Sequence, residues 1–161
     1  MIFFTVGTEQ FDFDRMVDAA DRVAVALPQE EVFIQIGTNR RCPNRAKWER
    51  WLPYEAFVQR VEDARIVVTH AGAGSLLSCA WRSKVAVAMP RRQDYGEHVD
   101  NHQVEFAQRM AAMGHALIAE TPEELCALVL NYEPSLGRSN GTSVSAPPLV
   151  ESLKQWLAEG A

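Results

Sequence analysis

Val67-Val68-Thr69-His70-Ala71-Gly72-Ala73-Gly74-Ser75-Leu76-Leu77 is the stretch that decides the fold. It reads as a buried β-strand, a turn with two glycines and the start of a helix. Together these make an anion site. Glycine lets the backbone close on a ligand, and the first helical N–H groups point out of the positive end of the helix dipole. His70 at the strand end and Ser75 near the helix start add side-chain donors. The same turn also suits plain close packing of helix on strand, so the flanking segments carry the decision.

Upstream, residues 2–6 form an apolar run ended by Gly7-Thr8, and residues 32–36 another ended by Gly37-Thr38. Both suit central parallel strands. Between them, apolar residues recur at helical spacing from 13 to 27, with Asp12 as the expected N-cap and Pro28 as the stop. Residues 39–47, with Arg40, Arg41 and Arg45, read as a solvated loop. A short strand ending at Pro53, a helix over 54–61 and a strand over 65–69 follow.

Downstream, the glycine turn opens a helix over 74–82. A strand at 85–89 leads to a polar loop, 91–99, and a helix over 100–113. Residues 115–118 form a last short strand. Thr121-Pro122-Glu123-Glu124 then opens a helix with Thr121 as cap, Pro122 in the first position and Glu124 completing a capping box. The domain is expected to span 1–131. Residues 132–148, rich in Ser, Gly, Pro and Asn, read as a flexible linker, and 149–161 as an amphipathic helix that packs on its own domain or on a partner. Strands alternating with helices imply a parallel sheet with helices on both faces, and ligands bind beyond the strand C-termini in such sheets.

Composition bounds the rest. The chain has 161 residues, 47% of them hydrophobic and 23% charged, enough for one ordinary core. A net charge of -5 argues against a nucleic-acid footprint. Three widely spaced cysteines, Cys42, Cys79 and Cys126, argue against a disulfide framework or a structural zinc site. Cys79 and Cys126 fit small core positions. No apolar run reaches the roughly 20 residues of a membrane helix, and the first residues read as a strand rather than a signal peptide. A cytoplasmic protein is the expectation.

Three motifs in order carry a family likeness: Thr5-Val6-Gly7-Thr8 with Phe13-Asp14-Arg15; His70-Ala71-Gly72-Ala73-Gly74-Ser75; and Gly96-Glu97-His98 with Asn101-His102-Gln103. Over residues 1 to 130 the chain resembles the C-terminal domain of family 28 glycosyltransferases. That is the Rossmann-like, donor-binding C-terminal half of a GT-B fold. It is most similar to the stand-alone subunits of dolichol-linked N-acetylglucosamine transfer and of bacterial exopolysaccharide synthesis.

The resemblance implies that His70, Gly72, Ala73, Gly74 and Ser75 hold the diphosphate of a UDP-sugar, with Thr8 and Gly7 approaching the phosphates or sugar. It places the sugar hydroxyls against Asn101, His102 and Gln103, and the base against Gly37, Thr38, Trp51 and Leu52. Relatives carry an acidic, ribose-binding residue three positions after the helix-opening serine; here that position is Ser78, so either nucleotide affinity is lower or a partner or Glu97 compensates. Glu97 and His98 are candidates for proton transfer. Arg91 or Arg92, with His70 and the helix dipole, are the expected charges on the leaving group, with no metal and no cofactor beyond the donor.

One domain makes half a GT-B cleft. The resemblance therefore implies an inverting transfer from a UDP-sugar to a lipid-linked saccharide, completed by a membrane-associated, acceptor-binding subunit that recruits this chain to the inner face of the membrane. Two other classes stay open. Ser78 favours a non-catalytic scaffolding or regulatory subunit. A nicotinamide-dependent α/β enzyme is disfavoured because the first strand leads to Val-Gly-Thr rather than Gly-x-Gly-x-x-Gly.

Overall fold

The computed structural model describes residues 1–133. Its centre is β1 (Ile2–Thr5), whose four residues are all buried. A strand shielded on both faces must be apolar throughout, and Ile-Phe-Phe meets that need. Burying each phenylalanine contributes about 1.5–3 kcal/mol.

Then come α1 (Asp14–Ala26), β2 (Val32–Gln35), β3 (Lys47–Glu49), α2 (Tyr54–Asp63), β4 (Ile66–Thr69), α3 (Ala73–Trp81), β5 (Ala86–Ala88), a 3₁₀ turn at Gln93–Tyr95, α4 (His102–Ala112), β6 (Ala116–Ile118) and α5 (Pro122–Leu130). The six strands form one sheet in the order β3-β2-β1-β4-β5-β6, and every pairing is parallel. The order reverses between β1 and β4. Connections leave these two strands toward opposite sides of the sheet, which opens a crevice at their C-terminal ends.

The pleat divides the core. Ile2, Phe4, Ile34, Val68 and Val87 face α1 and α5, while Phe3, Phe33, Val67 and Ala86 face α2, α3 and α4. β3 guards one edge with exposed Lys47, Trp48 and Glu49. Register aligns Gln35, Thr5 and Thr69 side by side across β2, β1 and β4. This polar row ends three otherwise apolar strands on the α2–α3 side.

The helical expectations hold in place but differ at the start of α1. Asp12 does not cap α1. Phe13 occupies the cap position with no side-chain bond, and the Asp12 carboxylate instead accepts from the Arg40 backbone N–H (2.8 Å) and Nε (2.6 Å). Asn39 Oδ1 takes the Phe13 N–H in its stead. The 39–47 loop is likewise not loose: Asp21 accepts the N–H groups of Asn44, Arg45 and Ala46 at 2.7–3.0 Å.

At α5 the Thr121 hydroxyl accepts the Glu124 N–H at 3.1 Å, while Glu124 Oε2 reaches back to the Glu120 N–H at 2.8 Å. Tyr132, at the start of the expected linker, donates its hydroxyl to the Val85 carbonyl at 2.6 Å. The linker beyond residue 133 and the helix at 149–161 lie outside the described residues. Cys79 is fully buried and Cys126 half-buried, as their helical positions implied.

Candidate functional site

At the switch point a cleft of about 410 Å³ opens over the C-terminal ends of β1 and β4. Its floor holds Thr5, Gly7, Gln35 and His70; Gly72, Gly74, Ser75 and Ser78 of α3 form one wall; Trp51, Leu52, Tyr54 and Phe57 form the other. Thr8 completes the lining, and among the described residues no charged side chain does.

Each wall follows from local sequence. Gly72 precedes α3 as its N-cap, and its carbonyl accepts the N–H groups of Ser75 and Leu76 at 3.1 Å. The amides of Ala73 and Gly74, in the first turn, have no intrahelical acceptor within reach. Gly74 matters by what it lacks: a Cβ there would meet nothing within 4 Å, so the backbone is bare toward the cleft. Ser75 lies at the third helical position and does not cap the helix. Ser78 follows one turn on, buried and facing the same cleft.

The glycines at 7 and 72 line the cleft and also make room for a side chain. A Cβ at either would overlap the His70 imidazole. The left-handed residue in the turn is Ala71, at φ 68°, not a glycine. Such strain in a residue with a Cβ is held by its surroundings and gathers at functional turns. His70 is therefore packed into the turn. Its Nδ1 lies 3.3 Å from the Thr5 carbonyl, which assigns the proton to Nδ1 and leaves Nε2 a lone pair. Burial first, and the Arg91 charge second, push its pKa down to about 3. In the unliganded fold burial thus holds the ring neutral, packed between Gly7 and Gly72 while it lines the cleft.

The polar floor was not singled out from sequence. Thr5 Oγ1 donates to Gln35 Oε1 at 2.6 Å, and Gln35 Nε2 donates to the carbonyls of Gly7 and Arg50 at 3.0 Å. Thr69 Oγ1 is buried without a partner among the described residues. The available signal was a hydrophilic residue closing each of three apolar strands.

The aromatic wall was partly foreseen. Trp51 is 48% exposed rather than core, and Tyr54 is 70% exposed. Phe57 is seated by an edge contact with Phe3, 5.7 Å between centroids. Gly37 lies behind the wall, its N–H donating to the Arg50 carbonyl. Thr38 belongs to a second opening of about 720 Å³ with Gln10, Phe11, Asp12, Tyr95 and Gly96.

Three further expectations are corrected. Arg91 is 1% exposed and Arg92 is paired with Glu120, so neither reaches the cleft. Glu97 is 5% exposed; Arg15 engages both its oxygens, at 2.8 and 2.6 Å, and the Arg92 N–H adds a third bond at 3.1 Å. Its carboxylate is bound within the fold and borders the second opening rather than the cleft. His98 leans on Phe11, with its Nδ1 3.0 Å from Asp100 Oδ1, away from the cleft lining.

Asn101, His102 and Gln103 stand on the same sheet edge at the start of α4 but do not line the cleft. Asn101 Oδ1 accepts the Gln93 N–H, and Gln103 Oε1 lies 3.4 Å from the Arg91 N–H. The exposed His102 is raised by its bond to Asp100.

The model of the glycosyltransferase family 28 C-terminal domain matches residues 1–140. The chain belongs to this family. Family 28 relatives include the UDP-N-acetylglucosamine transferase subunit ALG13 of Eremothecium gossypii, 30% identical over 92% of this chain and 67% of that one. The human subunit of the same name is 28% identical over 71% of this chain but 10% of its own length. Among solved structures the kitacinnamycin glycotransferase superposes with a TM-score of 0.64 at 20% identity, covering 85% of this chain and 36% of that enzyme. Acinetobacter baumannii MurG gives 0.51 at 24%, covering 80% and 40%. The family 28 domain thus has the fold of the C-terminal half of a GT-B glycosyltransferase, and it spans little more than a third of those solved enzymes.

Proposed function

We infer that this chain is the donor-binding half of a two-chain inverting glycosyltransferase. It takes a UDP-sugar and serves transfer to a lipid-linked saccharide in polysaccharide or exopolysaccharide biosynthesis. The observation that carries this reading is the bare N-terminus of α3 opening into an uncharged cleft at the β1/β4 switch point. The diphosphate sits on the Ala73 and Gly74 amides, where partial positive charge is already in place. The uracil lies against Trp51 and Leu52. The ribose faces Ser78, and the sugar extends toward Asn101, His102 and Gln103.

In the transfer the acceptor hydroxyl oxygen forms a bond to the anomeric carbon from the side opposite the diphosphate. The anomeric C–O bond to UDP breaks, a base takes the hydroxyl proton, and UDP leaves. This chain's part is to stabilise the charge that develops on the leaving diphosphate. With Glu97 tied to Arg15, the base and the acceptor site belong to a second, membrane-associated chain. The name of the relatives, a subunit of a UDP-N-acetylglucosamine transferase, supports both the donor class and the partner. The donor is the only small molecule this reading requires. The place of action is the cytoplasmic face of the membrane, reached through the partner. Among the described residues no helix is long and apolar enough to cross a membrane.

Calorimetric titration of the full chain with UDP, UDP-sugars and NAD tests the reading. UDP is expected to bind saturably and NAD not at all. Gly74→Val, which fills open space rather than the core, is expected to abolish UDP binding with an unchanged melting temperature. Preference for NAD would overturn it. Ser78, in place of a charged acceptor, favours the scaffolding alternative. Unchanged turnover by a reconstituted pair carrying Gly74→Val would establish that alternative.

A further inference from the structure

The cleft assigned to a diphosphate has no charged side chain in its lining, yet a cation lies directly behind its floor. Arg91 follows β5 and turns inward. Its Nη2 donates to the Val6 carbonyl at 2.9 Å; its Nη1 donates to Phe11 at 2.9 Å, Glu97 at 3.0 Å and Asp12 at 3.4 Å, all backbone carbonyls. The guanidinium carbon stands 4.7 Å from the Phe13 ring.

No carboxylate accepts any of these bonds. The Glu97, Glu9 and Asp12 carboxylates act on the guanidinium only through space, and Glu97 spends its carboxylate on Arg15 and the Arg92 N–H. A buried cation costs several kcal/mol of desolvation, which dipoles alone offset poorly. One peptide separates Val6, which Arg91 holds, from Gly7, which lines the cleft. The charge also reaches His70 on the same floor, where it opposes protonation.

We propose that Arg91 is a positioning residue that acts on the donor through the floor of the cleft. Its guanidinium ties the end of β1 to the loops before α1 and α4, and its charge supplies the positive field that the cleft lining lacks. This deepens the donor-site reading and rests on it. The arrangement has a physical logic. A cation buried behind backbone stays fixed as the ligand comes and goes, and salt screens it far less than a surface lysine. A unit charge about 10 Å from an anion, at an effective dielectric of about 20, changes affinity about tenfold or somewhat more.

The field and the bracing separate by comparing UDP with uridine, which shares the base and ribose but has no charge. Full-length wild type, Arg91→Gln and Arg91→Lys are titrated with both ligands. Arg91→Gln is expected to weaken UDP at least about tenfold while uridine stays within about twofold. Arg91→Lys, which keeps the charge but not the fork, is expected to retain the wild-type ratio of UDP to uridine affinity. Parallel loss of both ligands in Arg91→Gln would reduce Arg91 to a structural brace, and unchanged UDP affinity would remove it altogether.

Should Arg91→Gln not fold, wild type alone decides. Its UDP-to-uridine ratio is expected to survive a rise from 50 to 500 mM salt, within about threefold, because a buried charge is weakly screened. Collapse of that ratio would overturn the proposal. If wild type binds neither ligand, the donor-site reading itself falls, an outcome distinct from every failure of Arg91.

Discussion

His70 shows how a residue's type can be legible while its state is not. A histidine between a strand and a glycine turn reads as a donor to phosphate. In the fold its ring is walled in by Gly7 and Gly72 and held near a pKa of about 3. The consequence is measurable as stability. An unfolded chain protonates this histidine near its ordinary value of 6.5, whereas the folded chain does not until far lower. Between the two values the unfolded state binds more protons, so the stabilisation is complete above about 6.5 and drains away as pH falls. Half-buried His115 acts with the same sign, and exposed His102 with the opposite and smaller one. The lowered carboxylates, Asp12 and Asp21 among them, matter only in more acidic solution. Urea midpoints between pH 7 and pH 5 therefore report chiefly on His70. Wild type is expected to lose on the order of 1 kcal/mol per pH unit below 6.5, and His70→Gln to lose most of that slope. Equal slopes would mean that the folded ring carries a proton.

Among the elements, the strands and helices were readable because their apolar periods of two and 3.6 are properties of neighbouring residues. The interactions that override them are not local. Asp12 has the right type to cap α1, but the helix begins one residue further on, with Phe13 at the cap, and Arg40, brought in by the turn after β2, takes the Asp12 carboxylate. Gly-Glu-His at 96–98 reads as a polar loop, and nothing near Glu97 in sequence announces Arg15, which lies 82 residues earlier. The pair joins α1 to the loop before α4, and Arg15 Nη1 adds the Glu120 carbonyl before α5 at 2.8 Å. Its value is thus structural. Glu97→Gln leaves the Arg15 charge without its bidentate partner in a largely buried place. A loss of about 3 kcal/mol of stability is expected in urea denaturation, with UDP affinity per folded molecule reduced little. Wild-type stability accompanied by a collapse in transfer rate would instead restore Glu97 as a group acting on the substrate.

For the molecule as a whole, the alternation of strands and helices predicted a parallel sheet and gathered polar loops on one edge. The strand order places the reversal between β1 and β4, under the two glycine-bearing loops. At the rim of that edge Trp51, Tyr54, Tyr95 and Val99 stand 48–70% exposed. The GT-B enzymes this chain superposes on are about twice as much chain or a little more, and it covers 36% and 40% of their lengths. On the proposed reading, a nucleotide held between one wall of helix and one of exposed aromatic rings leaves its sugar open to water, where proximity to an acceptor cannot be maintained. The isolated chain is therefore expected to bind UDP without transferring sugar. Transfer is expected to appear on adding a membrane fraction that holds the partner, and to disappear when that fraction comes from cells lacking it. Sustained transfer to a lipid-linked acceptor by the purified chain alone would show that the exposed rim conceals a complete active site, and the two-chain reading would have to be abandoned.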